Sequence, residues 1–209
     1  MITTTKRTRR AACLAMAALF AVPTSALAGT IAVQVNSYAF GLDPTAVVIT
    51  SRVDDMGGFY LWEYTVQNNS YDPSPGFSNG FSGFELALPG GFVADLGNFV
   101  SPSAGWVNNC CSGLPMEWDI RNSAGLGVMP GNSGVFSFTT LPRGIQTANA
   151  GWFHSWINDG QVTVVNYGAN NAPLAPDLVR TPIPEPATLL LFGTGLAVAG
   201  MRRRLKSRV

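Results

Sequence analysis

The sequence offers one histidine, His154, for acid–base chemistry. A Ser-His-Asp enzyme would need this histidine beside a nucleophile. His154 lies two residues from Trp152 and two from Trp156, so in a strand all three side chains share one face. We therefore interpret His154 as a packed or rim histidine of an aromatic face. The usual zinc site also cannot be built from one histidine and two cysteines that are neighbours in the chain, Cys110 and Cys111.

The carboxylates of Glu117 and Asp119 are a second candidate, because paired carboxylates can support glycoside hydrolysis. In a strand these two side chains lie on one face, about 7 Å apart. Glycosidase pairs usually come from different strands, so we interpret Glu117 and Asp119 as part of a solvated polar face. The sequence thus predicts no catalytic residue.

Asp54 and Asp55 could contribute to a calcium site, since they precede two glycines in a turn. The EF-hand spacing is absent, and an acidic turn explains the pattern more simply. We expect neither a metal nor a cofactor.

Cys110 and Cys111 are adjacent in a stretch rich in Asn, Ser and Gly, which predicts a loop. Adjacent Cα atoms lie about 3.8 Å apart, below the usual disulfide range, so a bridge between the two would be strained. We expect a structural disulfide, either vicinal or to another chain. Two free thiols are the remaining alternative.

Five tryptophans fall in the central part of the chain, where aromatic side chains could either fill a core or stack on sugar rings. Core packing is the simpler interpretation for most of them. Trp106 is the exception, because it lies in a Gly- and Asn-rich segment beside the cysteines. We therefore predict Trp106 as the candidate glycan contact.

The elements that must position these residues are strands. Residues with period-two alternation or strong β propensity, typical of strands, occur at Ile31–Tyr38, Ala46–Val53, Phe59–Gln67, Phe84–Leu88, Met116–Arg121, Val135–Phe138, Trp152–Ile157 and Val162–Val165. Turn signals rich in Gly, Pro, Asn and Asp separate them. The pattern predicts an all-β domain over residues 29–168, a β-sandwich or jelly roll. Residues 169–182, rich in Asn, Ala and Pro, predict a linker.

The charge of the central part is strongly negative. Between residues 29 and 182, four arginines and eleven acidic residues give a net charge of −7. Because binding to phosphates needs clustered Lys and Arg, nucleic acid is excluded as an expected partner.

The first 28 residues have the composition of a secretory signal peptide. A basic segment precedes the apolar run from Ala11 to Val22, and Ala26-Leu27-Ala28 supplies the small residues of a cleavage site. We expect the Sec translocon to export the chain and signal peptidase to cut before Gly29.

Residues 183–209 combine three features in a fixed order. Pro184, Glu185 and Pro186 precede an apolar run, Ala187–Met201, which is followed by a basic tail that includes Arg202, Arg203 and Arg204. The run predicts a helix of about 22 Å, short of a bilayer core of about 30 Å, a gap that snorkelling arginines and local thinning can close. We expect one transmembrane helix with its basic tail in the cytoplasm.

This arrangement, with its Leu189-Leu190-Leu191 run and glycines 193, 195 and 200, resembles the PEP-CTERM sorting signal of Gram-negative bacteria. The resemblance covers roughly an eighth of the chain. It implies an exosortase as partner, transient anchoring in the inner membrane, and delivery to the cell surface or extracellular matrix.

Three classes of function remain open. The first is a non-enzymatic surface or matrix protein associated with exopolysaccharide and biofilm. The second is a carbohydrate-binding module at the cell surface, and the third is a secreted hydrolase. The sequence favours them in that order.

Overall fold

The computed structural model describes residues 29–88, 95–109, 116–120, 127–157 and 161–180. These residues form twelve strands and one short 3₁₀ helix, Ala169–Asn171. The strands are β1 Gly29–Phe40, β2 Asp43–Asp55, β3 Tyr60–Asn68, β4 Gly83–Ala87, β5 Gly97–Val100, β6 Val107–Asn109, β7 Met116–Asp119, β8 Ser133–Thr140, β9 Arg143–Thr147, β10 Ala150–Ile157, β11 Gln161–Gly168 and β12 Leu174–Arg180.

Two antiparallel five-stranded sheets make up most of the domain. Sheet A has the order β1-β2-β3-β8-β5, and sheet B has the order β11-β10-β4-β7-β6. Strands β9 and β12 form a separate antiparallel pair. The all-β prediction is confirmed, and so is each of the eight strands expected from alternation or β propensity.

The core lies between sheets A and B and is rich in aromatic rings. Tyr64 of sheet A meets Phe84 of sheet B edge to face, with ring centroids 5.5 Å apart. Trp118 of sheet B contacts Phe136 of sheet A in the same way, at 5.6 Å. Large buried rings from alternate positions of both sheets make the fold a β-sandwich.

The expected linker over residues 169–182 is wrong for half of its length, because Leu174–Arg180 form β12. Leu174 is buried, its carbonyl accepts a hydrogen bond from the Tyr64 hydroxyl at 2.7 Å, and its N–H donates to Ser51 Oγ at 3.2 Å. Pro176 is tolerated because a proline can sit on the outer side of an edge strand, where no N–H is needed. Composition alone suggested a linker, whereas the segment buries apolar side chains.

The predicted signal peptide, residues 1–28, and the predicted transmembrane segment within residues 183–209 lie outside the described residues. Within the described ranges, no helix has the length and apolar character required to span a bilayer.

Candidate functional site

The outer face of sheet B, the side turned away from the core, collects most of the polar and aromatic candidates. Phe153, Phe84 and Trp118 point into the core, so their neighbours in β10, β4 and β7 point outward. The outward residues of these three strands include Trp152, His154, Trp156, Gly83, Glu85, Glu117 and Asp119. The sequence placed His154 between two tryptophans correctly, and strand pairing adds the carboxylates.

Gly83 is the position that brings His154 and Asp119 together. His154 pairs with Gly83, and Gly83 pairs with Asp119, so the three residues form one row across β10, β4 and β7. A Cβ on Gly83 would lie 1.8 Å from His154 Cε1, so only glycine leaves room for the imidazole ring. The ring lies over the Gly83 backbone, and its Nε2 reaches to 3.2 Å from Asp119 Oδ1.

Trp156 completes a buried hydrogen-bonded group. Its Nε1 donates to Asp119 Oδ1 at 2.6 Å, the same oxygen that faces His154. His154 is 2% exposed and Asp119 is 1% exposed. Because burying such groups is costly without partners, these contacts are what hold them in place.

Trp152 lies on the other side of His154. The centroids of the two rings are 4.5 Å apart with an angle of 39° between their planes. Trp156 meets the same imidazole edge to face at 5.8 Å. His154 is therefore packed between two indoles, as the aromatic-face interpretation expected.

Glu85 and Glu117 are direct partners in the β4–β7 pairing, next to the His154 row. Burial, reinforced by the negative charge of Glu117, raises the pKa of Glu85 to about 7, although a hydrogen bond from the Trp152 side chain acts in the opposite direction. Glu85 therefore accepts a proton at a higher pH than an ordinary glutamate does. The alternation of β4 already turned Glu85 outward, but its partner across the sheet depends on a register that the local sequence does not reveal.

The structure does not assemble a Ser-His-Asp triad among the described residues. His154 Nδ1 is buried and has no hydrogen-bond partner there. Ser82, the residue before β4, bonds through its backbone N–H to the His154 carbonyl and uses its Oγ to accept the backbone N–H of Trp156 at 2.7 Å.

A Gly-x-Ser-x-Gly sequence, residues 76–80, lies in the connection between β3 and β4. Its serine, Ser78, is buried and donates a hydrogen bond to Asp72. The element that follows it is strand β4, whereas a nucleophile elbow joins a strand to a helix. Ser78 therefore has a structural hydrogen bond in this loop, and among the described residues none to His154 Nδ1.

Asp54 and Asp55, at the end of β2, accept hydrogen bonds from residues of β1, β2 and the turn between β2 and β3. Asp54 Oδ1 accepts from Thr30 Oγ1 at 2.6 Å and from Arg52 Nε at 2.9 Å. Asp55 Oδ1 accepts the backbone N–H of Gly57 at 2.8 Å. Across the part of the chain that the structure describes, no group of three or more potential ligands could hold a metal ion.

Trp106 is partly buried, just before β6. Its ring meets Phe136 edge to face at 5.0 Å, and its Nε1 is buried without a hydrogen-bond partner among the described residues. Its role as a glycan contact stays a prediction. The predicted disulfide of Cys110 and Cys111, the signal cleavage site at Ala26 and Ala28, and the sorting residues all lie outside the described residues.

The sorting signal is confirmed by comparison with known families. The PEP-CTERM protein-sorting motif matches residues 182–204, which include Pro184, Glu185, Pro186 and Arg202–Arg204. The motif implies export, recognition by an exosortase and sorting to the cell surface.

Two solved structures are similar to the fold at low sequence identity. One is an uncharacterized protein from Nocardia farcinica with an immunoglobulin-like fold, at 15% identity and a TM-score of 0.37, covering 64% of this chain and 98% of that chain. Another is the KRT10-binding region domain of the pneumococcal serine rich repeat protein PsrP, at 12% identity and a TM-score of 0.34, covering 72% of this chain and 97% of that chain. No curated protein matches this chain.

Proposed function

We propose that this protein is a non-enzymatic component of the cell surface or extracellular matrix, cut by an exosortase at its sorting motif and associated with exopolysaccharide and biofilm. The observation that carries the proposal is the PEP-CTERM motif at residues 182–204. It follows directly on a folded domain whose last strand ends at Arg180.

The boundary between domain and motif suits release of an intact domain. Residues 27–181 form one compact unit, and the core residues of the sandwich all precede the motif. A cut near Pro184 therefore leaves every core residue of the described ranges on the released side.

The proposed sequence of events begins with Sec export and removal of residues 1–28 by signal peptidase. The apolar run after Pro186 then stops in the inner membrane with its arginines on the cytoplasmic side. Prolines on both sides of Glu185 favour an extended backbone, which presents the carboxylate to the groove of the exosortase.

Replacing Glu185 tests this proposal. We expect Glu185→Ala to abolish processing, so that intact mass spectrometry finds in the membrane a species that still carries Arg202–Val209. The wild type should give a secreted species that starts at Gly29 and ends near Pro184. Glu63→Ala, a glutamate change in β3 outside the motif, is the matched control and should be processed normally. Processing of Glu185→Ala at the wild-type level would contradict the proposal.

A further inference from the structure

We propose that the outer face of sheet B binds a glycan chain that carries no acidic groups, with Trp152 as the stacking platform and Glu85 and Glu117 as partners for its hydroxyl groups. The site is distinct from the sorting motif. Only the identification of exopolysaccharide as the natural source of the glycan rests on the proposed function.

Trp152 has the features of a preformed platform. It lies in a central strand of sheet B, between β11 and β4, and its side chain is only partly buried. One side of the indole packs against the imidazole of His154, with the ring centroids 4.5 Å apart. A ring held in this way loses little conformational freedom when a flat apolar surface, such as one face of a pyranose, stacks on it.

The group beneath the platform is more elaborate than packing requires. An imidazole, a carboxylate and an indole N–H are joined in a buried row, and Gly83 leaves the space for it. An apolar residue in place of His154 would fill this space without a desolvation cost, whereas His154 also leaves Nδ1 unpartnered among the described residues. Such a network fixes the position of neighbouring side chains, as binding sites demand.

The carboxylate pair supplies the polar chemistry that a sugar needs. Hydroxyl groups donate hydrogen bonds readily to carboxyl oxygens, and two glutamates paired directly across β4 and β7 place such acceptors side by side. Glu85 is the direct register partner of Trp152 in β10 and of Glu117 in β7. The platform and the acids therefore form one continuous row on the face.

Charge determines which glycans fit. Where the structure describes it, the face carries three carboxyl side chains, Glu85, Glu117 and Asp119, within a segment of net charge −7. Uronate or sulfate groups would be repelled, whereas neutral and amine-bearing sugars would not.

The test measures binding of the full-length protein, solubilised in mild detergent, to three probes: cellohexaose, a chitosan oligosaccharide and alginate. We expect titration calorimetry to detect binding to at least one of the first two and none to alginate. Trp152→Ala should weaken that binding about tenfold or more, since a tenfold change corresponds to about 1.4 kcal/mol. Trp152→Phe should keep most of it, because the platform remains aromatic.

Phe59→Ala is the matched control, since Phe59 is an exposed aromatic residue in the β2–β3 hairpin. It should bind like the wild type, and circular dichroism should show that all variants are folded. Preferred binding to alginate, or no binding to any probe, would overturn the proposal. So would binding that survives Trp152→Ala but is lost in Trp106→Phe.

Release of reducing ends from a probe, abolished by Glu85→Gln, would also overturn the proposal, because the face would then be a hydrolase site. Measuring export and cleavage alongside glycan binding distinguishes a failure of this inference from a failure of the proposed function. We expect Trp152→Ala to be exported and cut normally, whereas Glu185→Ala should bind the glycan normally.

Discussion

At the scale of single residues, the burial of Glu85, reinforced by the charge of Glu117, makes the stability of the fold depend on pH. The folded chain holds a proton on Glu85 up to about pH 7, whereas the unfolded chain releases it near the ordinary value of 4.5. The unfolded state therefore binds fewer protons between these values, and the free energy of unfolding falls as pH rises through this window. The contribution of the Glu85 proton to the free energy of unfolding is fully present below about pH 4.5 and lost above about pH 7.

Glu85→Gln should remove this dependence, because glutamine cannot ionise. We expect the free energy of unfolding of the wild type to fall relative to that of the variant between pH 4.5 and 7. The change should be on the order of 1 kcal/mol, after allowing for solvent screening at this half-buried position. Urea denaturation at four or more pH values across the window measures it.

Among the described residues, the other ionisable groups near Glu85 are Glu117, Asp119, His154 and Tyr167, and all of them remain in the variant. Their contributions cancel to first order when the two proteins are compared. Glu63→Gln, on the other sheet, should give a curve parallel to that of the wild type. Parallel curves for Glu85→Gln and the wild type would show that Glu85 does not titrate in this window.

At the scale of elements, β12 is the segment that closes the sandwich. The Tyr64 hydroxyl reaches across the core to the Leu174 carbonyl, and further hydrogen bonds from Gln34 and Tyr38 hold the residues just before β12. The segment thus belongs to the cooperative fold.

Tyr64→Phe should lower the free energy of unfolding by about 1–2 kcal/mol, because the buried Leu174 carbonyl loses this hydrogen bond. Chemical denaturation at neutral pH measures the loss. Tyr60→Phe is the matched control, since the Tyr60 hydroxyl makes no hydrogen bond among the described residues, and it should change stability by less than about 0.5 kcal/mol. Equal losses in the two variants would contradict a role for the Tyr64 hydroxyl.

The strands that the sequence predicted and those that it missed differ in a physical way. Strands such as β3 and β10 carry β-prone side chains over eight or nine residues, which is enough to reveal an element locally. By contrast, β5 and β6 have four and three residues, and β12 contains Pro176, so composition suggested loop or linker there.

The candidate site was predictable only in part for a related reason. Alternation within β10 and β7 shows which side chains share a face of one strand. The meeting of His154 with Asp119 over Gly83 depends on the register of three strands that are distant in sequence. Register is set by the pairing of whole strands, which no local pattern states.

At the scale of the whole molecule, the folded domain comes close to the sorting motif along the chain. Three residues, 181–183, separate the end of β12 from Pro184, so the Cα atoms of Arg180 and Pro184 can be at most about 14 Å apart. A membrane enzyme that cuts at the motif would have to work beside the folded domain.

A flexible spacer should therefore speed processing. We expect insertion of Gly-Ser-Gly-Ser between Thr181 and Pro182 to increase the ratio of cut to uncut protein. Pulse labelling combined with intact mass spectrometry measures this ratio over time. The same insertion between Gly57 and Gly58, in the β2–β3 turn, controls for a general effect of added chain. An unchanged ratio would mean that the domain does not hinder the exosortase.

The position of β12 also has a mechanical consequence. In the proposed sequence of events the chain is held only at its C-terminal end, so any drag on the domain would enter through this strand. A force directed along β12 would shear its backbone hydrogen bonds with β9. These hydrogen bonds would then bear the load together instead of breaking one after another. The strand that composition suggested was a loose tether is thus the part of the fold that would bear force.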